Sequence, residues 1–283
     1  MNSAILAGAT LFLYMAAAAC YGAVLFLDAR AAPSPGAGAG SAPRAARFGR
    51  PLLLLGILLN IVVIGALCIA THRSPFASEY GTLVVSAWAI AVVYAGLDFR
   101  AKLPALGAVS ILAACLMLFW GLVHSRGPVA ETRLLSQRIV SLHVLATVGS
   151  LALFALAGAC AGLYILQSRQ LKSHGAGNLF RKLPPLATLD SLAYHAVAYG
   201  LPLLTLGLSL GILYVYRSGL PSNAWWLDPK TIVSFVVWLL YIVYLSARLA
   251  AGWRGVRLQY ILLAGLVIAP MLYLVPGPTH QFR

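Results

Sequence analysis

The chain is short of charge. Only 9% of its 283 residues are charged and just six are acidic: Asp28, Glu79, Asp98, Glu131, Asp190 and Asp228. A soluble globular domain carries about 25% charged residues, so that class is excluded. Cysteine is scarce as well. Cys20, Cys68, Cys115 and Cys160 all fall in apolar stretches, with no C-x-x-C and no C-x-x-C-H. Neither a thioredoxin-like centre nor a covalent haem attachment is signalled, and the thiols read as packing residues. No H-E-x-x-H spacing signals a metalloprotease-type site. The apolar runs do not alternate, which favours helices over the strands of a membrane β-barrel. The N-terminus has no basic region, so no cleavable signal peptide is expected. No internal repeat is apparent.

What the chain has in quantity is apolar length. Hydrophobic residues make up 61%, and the mean hydropathy is +0.89. Runs near 4–27, 51–70, 80–97, 103–123, 139–167, 191–216, 231–249 and 257–276 can each cross a hydrocarbon core of ~30 Å. The fold class is therefore an all-α integral membrane protein, a bundle of about eight transmembrane helices, with 1–283 as a single polytopic membrane domain. The Ala/Gly/Pro-rich segment 28–50 reads as a flexible loop. Gly158 with Gly162, and Gly207 with Gly211, have the spacing that lets helices approach closely. Pro202 is expected to bend its span, with Thr205 nearby as a polar partner.

The net charge of +14 suits insertion topology rather than nucleic acid. One alternate set of loops and span ends holds Arg30, Arg44, Arg47, Arg50, Arg100, Lys102, Arg169, Lys172, Arg181, Lys182, Arg248, Arg254 and Arg257. The other holds Arg73, Arg126, Arg133, Arg138, Arg217, Lys230 and Arg283, so the division is 13 to 7. The richer side is expected in the cytoplasm, with both termini outside. The basic segment 168–190, broken at Pro184 and Pro185, is suited to anionic lipid.

The segment AWWLDPKT, 224–231, crowds two indoles, an acid, a proline and a lysine between two apolar runs. Each has an ordinary role available. Trp225 and Trp226 suit an interfacial aromatic belt. Asp228 suits a helix N-cap with Pro229 at the first helical position. Lys230 can extend its ammonium to water. Trp238, eight residues beyond Lys230, lies ~12 Å deeper by helical rise. It is expected to pack on another helix or to line a cavity for something flat and apolar. Trp238, Tyr241, Leu245 and Arg248 share one helical face.

That segment, with the W…Y…YL…R pattern after it, resembles the tryptophan-rich motif of the cytochrome c assembly membrane proteins. These are the CcsA-like haem-handling proteins, with the CcmC, CcmF, HemX-like and YpjD-like branches. The resemblance extends to G-x-P-L-L-T-x-G at 200–207, to GWRG at 252–255 and to the helix 141–166 that carries His143. It covers roughly 139–270, and the HemX-like or YpjD-like branch fits best. It implies a core over 139–276 with a tryptophan-rich outer loop at 217–230. It also implies haem (heme) handled at the outer face of a bacterial cytoplasmic (inner) membrane. His143, Trp225, Trp226, Asp228, Trp238 and His280 would form the cofactor site, with His143 and His280 as iron ligands and Lys230 and Arg217 as cations for the propionates. The chain departs from the family pattern at Leu227, Thr231 and Ser246, and His280 in VPGPTHQFR is a loose counterpart of the second histidine.

Of the remaining histidines, His72 and His124 are expected in solvent, His195 as a helix-end residue, and His174 in a loop without a role. No catalytic constellation is visible, so the chain reads as a non-enzyme. The favoured expectation is haem binding for cytochrome c-type biogenesis, with cytochrome c assembly or haem-synthesis proteins as partners. The alternative is an accessory protein that keeps the scaffold and acts on another membrane complex without haem. A transporter ranks third, because few polar groups lie within the spans.

Overall fold

A computed structural model describes residues 3–26, 44–72, 74–124, 138–172, 183–218 and 225–275. These form α1 (Ser3–Phe26), α2 (Arg44–Thr71), α3 (Glu79–Ala101), α4 (Pro104–His124), α5 (Arg138–Lys172), α6 (Leu186–Ser218), α7 (Pro229–Leu249), α8 (Val256–Ile268) and the short α9 (Met271–Leu274). Eight stretches are long and apolar enough to cross a membrane, the last formed by α8 and α9 together, and no strand occurs among the described residues. The exterior is apolar: Phe12, Leu58, Ile69, Leu112, Phe119 and Leu239 are all exposed. A bundle in lipid pays nothing for such a surface and packs instead through close backbone approach.

Packing pairs show the order. α1 packs on α2 and α4, and α3 on α2 and α4, closing a ring of four. α5 packs on α6 and α8, and α7 on α6 and α8, closing a second ring in the same order. α5 joins the rings through α3 and α4. The repeat invisible in the sequence is thus present in the topology. Tyr14 against Gly56 with Tyr21 against Gly49 shows α1 and α2 antiparallel, and Leu266 against Gly158 with Tyr260 against Arg169 shows the same for α8 and α5.

Among the described residues, each ring holds an ion pair at the same end of the bundle. In the first, Arg50 of α2 donates to the Asp98 carboxylate at 2.8 Å and to the Asp98 carbonyl, while Tyr21 and Tyr94 donate to the same carboxylate at 3.3 and 3.2 Å. In the second, Arg248 of α7 grips Asp190 of α6 with two bonds of 2.9 and 2.8 Å, and the Gln259 amide adds a third at 2.9 Å. The Arg248 guanidinium also lies 4.7 Å over the Tyr194 ring.

Several local expectations need correction. α2 starts at Arg44 rather than near 51, so its first turns fall inside the segment expected to be flexible. The Ala/Arg-rich sequence favours helix, and the Arg50–Asp98 pair ties that end down. The buried stripe of α7 is Val237, Tyr241 and Tyr244, continuing to the paired Arg248. It shares Tyr241 and Arg248 with the expected face but takes Val237 and Tyr244 in place of Trp238 and Leu245, which lie on its flank. Gly207 lies against Thr147, but a Cβ on Gly162 would meet nothing within 4 Å, so only one of the two glycine pairs forms a full contact face.

Candidate functional site

The tryptophan segment is built from a helix cap. Asp228 is fully buried, and its carboxylate accepts from the Lys230 N–H at 2.8 Å, with Pro229 opening α7. Its own N–H bonds the Trp225 carbonyl at 3.2 Å, closing the turn that carries both indoles. The cap satisfies a donor that helical geometry leaves without a partner, and the turn fixes where the rings go.

From that turn an aromatic row runs down the bundle. Trp225 and Trp226 stack with centroids 4.0 Å apart. Trp226 stacks on Phe235 at 5.7 Å, and Phe235 meets Trp238 edge-on at 6.4 Å. Trp226 is 52% exposed and Trp225 half-buried. Trp238 ends the row: its indole N–H donates to Thr205 Oγ1 of α6 at 2.9 Å, while Thr205 donates to the Leu201 carbonyl of its own turn. The deep indole therefore packs against another helix. α6 runs unbroken through Pro202.

His143 sits near the start of α5 and turns toward α6. Its Nδ1 lies 2.6 Å from the Gly207 carbonyl. A Cβ on Gly211 would stand 3.0 Å from Cε1 and Nδ1 of the imidazole, so the ring rests on a bare stretch of backbone. Only Nδ1–H can bond a carbonyl, and that tautomer places the basic lone pair on Nε2. In metal sites the same arrangement orients a ligating histidine.

The structure joins Trp225, Trp226, Asp228 and Trp238 into one unit. His143 stands apart from the deep end of that unit. At ~100° per residue, Gly207 and Gly211 lie about 160° and 120° around α6 from Thr205. The imidazole and the Trp238 indole therefore occupy different flanks of α6, which separates them at that depth. His280 lies outside the described residues. Of the cations, Arg217 is exposed at the end of α6. Lys230 is half-buried rather than extended, with Asp228 and Glu79 of α3 within electrostatic reach. His124 is exposed and stacks on Trp120 at 3.6 Å, and the exposed His195 bonds Ser191 of its own helix. No group of three His, Cys, Asp or Glu side chains with metal-binding geometry occurs among the described residues.

Sequence reasoning missed Phe235, the middle of the aromatic row, and the Asp190–Arg248–Gln259 cluster. Phe235 lies at i+9 from Trp226 and was readable only by building the turn. The ion pair had a signal: Asp190 is one of six acids in a chain of this length, and an ionisable group near a span normally has a partner.

Comparison with known proteins gives a consistent family. The family model described as Cytochrome C assembly protein matches residues 77–277, so it includes α3 and α4, whose sequences resemble the family only in pattern. A cytochrome c biogenesis protein CcsA of Guillardia theta is 24% identical over 242 residues, covering 78% of this chain and 79% of that protein. Protein HemX of Bacillus subtilis is 31% identical over 151 residues, 53% of this chain and 54% of that protein. A CcsA of Prochlorococcus marinus is 38% identical over 87 residues, 30% of this chain and 27% of that protein.

Proposed function

The chain belongs to the cytochrome c assembly family of multi-pass membrane proteins, and from that membership we propose that it binds haem at the tryptophan-bearing end of the bundle during cytochrome c biogenesis. The observation that carries this reading is the aromatic row Trp225–Trp226–Phe235–Trp238, which opens to the surroundings at Trp226. A porphyrin needs a flat apolar support, axial nitrogen for its iron and cations for its propionates. The row offers the support, and Lys230 and Arg217 offer the cations. His143 offers an imidazole oriented through its Nδ1 bond to the Gly207 carbonyl, as ligating histidines are oriented in metal sites. Because His143 and Trp238 sit on different flanks of α6, haem would be held by His143 together with Trp225 and Trp226 rather than with Trp238. His280 is the second candidate ligand. Haem would supply the iron that the apocytochrome must receive, and the chain's own work is to hold and present it, without catalysis.

In this reading the tryptophan end faces outward from a bacterial cytoplasmic membrane, with both termini on that side and an assembly or haem-synthesis protein as partner. The 13-to-7 division of cations supports the orientation. The test is the visible spectrum and pyridine haemochrome of the purified full chain. A Soret band is expected, lost in Trp225→Ala/Trp226→Ala and shifted in His143→Ala, with recovery in His143→Gly on adding imidazole. Protein purified from haem-replete cells with no Soret band refutes the proposal.

A second reading, a scaffold acting on another membrane complex without haem, is favoured by one observation. The His143 ring already serves α5–α6 packing, seated on Gly211 and bonded to Gly207. Under it, His143→Ala weakens the fold yet leaves partner co-purification independent of haem supply.

A further inference from the structure

At the end of the bundle opposite the tryptophans, the turn 250–255 joins α7 to α8 in a fixed shape. Trp253 N–H bonds the Ala247 carbonyl at 2.9 Å, and Ala250 N–H bonds Ser246 at 2.9 Å. Gly252, at φ +63°, takes within this turn the left-handed conformation that glycine adopts without steric cost. Gly255 at φ +88° then turns the chain into α8, close to the Tyr164 hydroxyl of α5. The result is a rigid corner that presents Trp253, half exposed, with Arg254 and Arg257 in the open. The neighbouring end of α5 adds Arg169, whose guanidinium donates to the Tyr260 hydroxyl of α8 at 3.2 Å. Three guanidinium groups and two aromatic rings therefore share one corner. The one described acid in this part of the ring, Asp190, is already held by Arg248 and Gln259.

We propose that this corner binds the phosphate of an anionic phospholipid headgroup, with Trp253 at the headgroup level and Arg254, Arg257 and Arg169 around the phosphate. Cations that serve only insertion need no fixed geometry and are interchangeable along a loop. Here the hydrogen-bonded turn fixes the backbone that carries Trp253 and Arg254, and the Arg169–Tyr260 bond ties the third guanidinium to α8 one turn from Arg257. Arg is suited to the task, since its planar fork matches phosphate oxygens. Indole beside cation is the pairing found where protein meets headgroups. The site lies away from the tryptophan row and does not depend on haem binding.

The test uses the full chain in nanodiscs of phosphatidylcholine containing a minor share of phosphatidylglycerol, with retained lipid read by native mass spectrometry after partial stripping. Wild type is expected to retain phosphatidylglycerol preferentially. Arg254→Gln/Arg257→Gln is expected to lose about thirtyfold in that preference, from the worth of two cations at a membrane surface. Arg100→Gln/Lys102→Gln removes the same charge from the exposed α3–α4 turn at the same end of the bundle and should leave the preference intact. Equal losses in the two double variants would show a diffuse charge effect and overturn the proposal. So would displacement of phosphatidylglycerol by inorganic phosphate, which would mark a soluble-anion site instead. All four positions are exposed, and an unchanged unfolding midpoint in detergent confirms that each variant is folded.

Discussion

Removing Arg248 while leaving Asp190 in place should be the most damaging single change at the ion-pair end of the second ring. The two side chains are only 15% and 18% exposed, and they meet through two bonds below 3 Å. A solvent-exposed pair contributes about 0–1 kcal/mol. A buried pair that loses one partner costs about 3–5 kcal/mol, because the remaining charge has lost both water and its counter-ion. Asp190 would retain the Gln259 amide, so Arg248→Met belongs at the lower limit, about 3 kcal/mol. Replacing both partners, as in Asp190→Leu/Arg248→Met, leaves no stranded charge and should return to within about 1 kcal/mol of wild type. The assay is reversible unfolding in mixed micelles, run as a double-mutant cycle on both single variants and the pair. A double variant as unstable as the sum of the singles would mean that no coupling exists, and the account of this end of the bundle would be wrong.

Three further outcomes follow from other contacts. Gly211→Ala places a methyl 3.0 Å from the His143 ring, so it should cost about 1–3 kcal/mol and disturb the bond to Gly207, read as a changed imidazole nitrogen shift by NMR. Asp228→Ala should cost about 1 kcal/mol through the lost cap, whereas Asp228→Asn should retain nearly all of it; chemical unfolding of the two variants separates them. Thr205→Val leaves the Trp238 indole N–H without its acceptor at a cost of about 1 kcal/mol, and adding Trp238→Phe should produce little further loss of the hydrogen bond, although it removes packing.

Much of this molecule was legible because lipid imposes simple rules. Each span had to be a helix, so apolar length located all eight, although α2, α5 and α6 run five to seven residues past an expected end, and the Asp228–Pro229 pair announced the start of α7. The Trp238 contact was legible in kind, since an indole ~12 Å deep needs a partner, but the partner was not. Assigning Thr205 required the rotation of two helices about their axes, and apolar spans in lipid are hydrophobic all round, with no polar face to fix that rotation. The same blindness hid Tyr241 stacked on Phe154 at 3.7 Å, and the joining of Asp190 to Arg248 across 58 residues of sequence. The equivalence of the two four-helix rings was also hidden, because their ion pairs reverse roles: arginine on the second helix and aspartate on the third in one ring, the opposite in the other.

α6 is the element on which the candidate site turns. One flank, through the bare backbone at Gly207 and Gly211, receives the imidazole of α5. Another, through Thr205, receives the deep indole of α7, and the start of the helix holds α7 again through Asp190. α7 carries Phe235 and Trp238 and, through its cap, positions Trp225 and Trp226. A rotation of α6 about its axis therefore cannot move the imidazole without also moving the acceptor of the Trp238 indole. Rotating Gly207 away from His143 by one residue, ~100°, would carry Thr205 out of reach of Trp238. The two halves of the site are set by one helix, and that is a stronger constraint on their relation than any direct contact between flexible side chains would be.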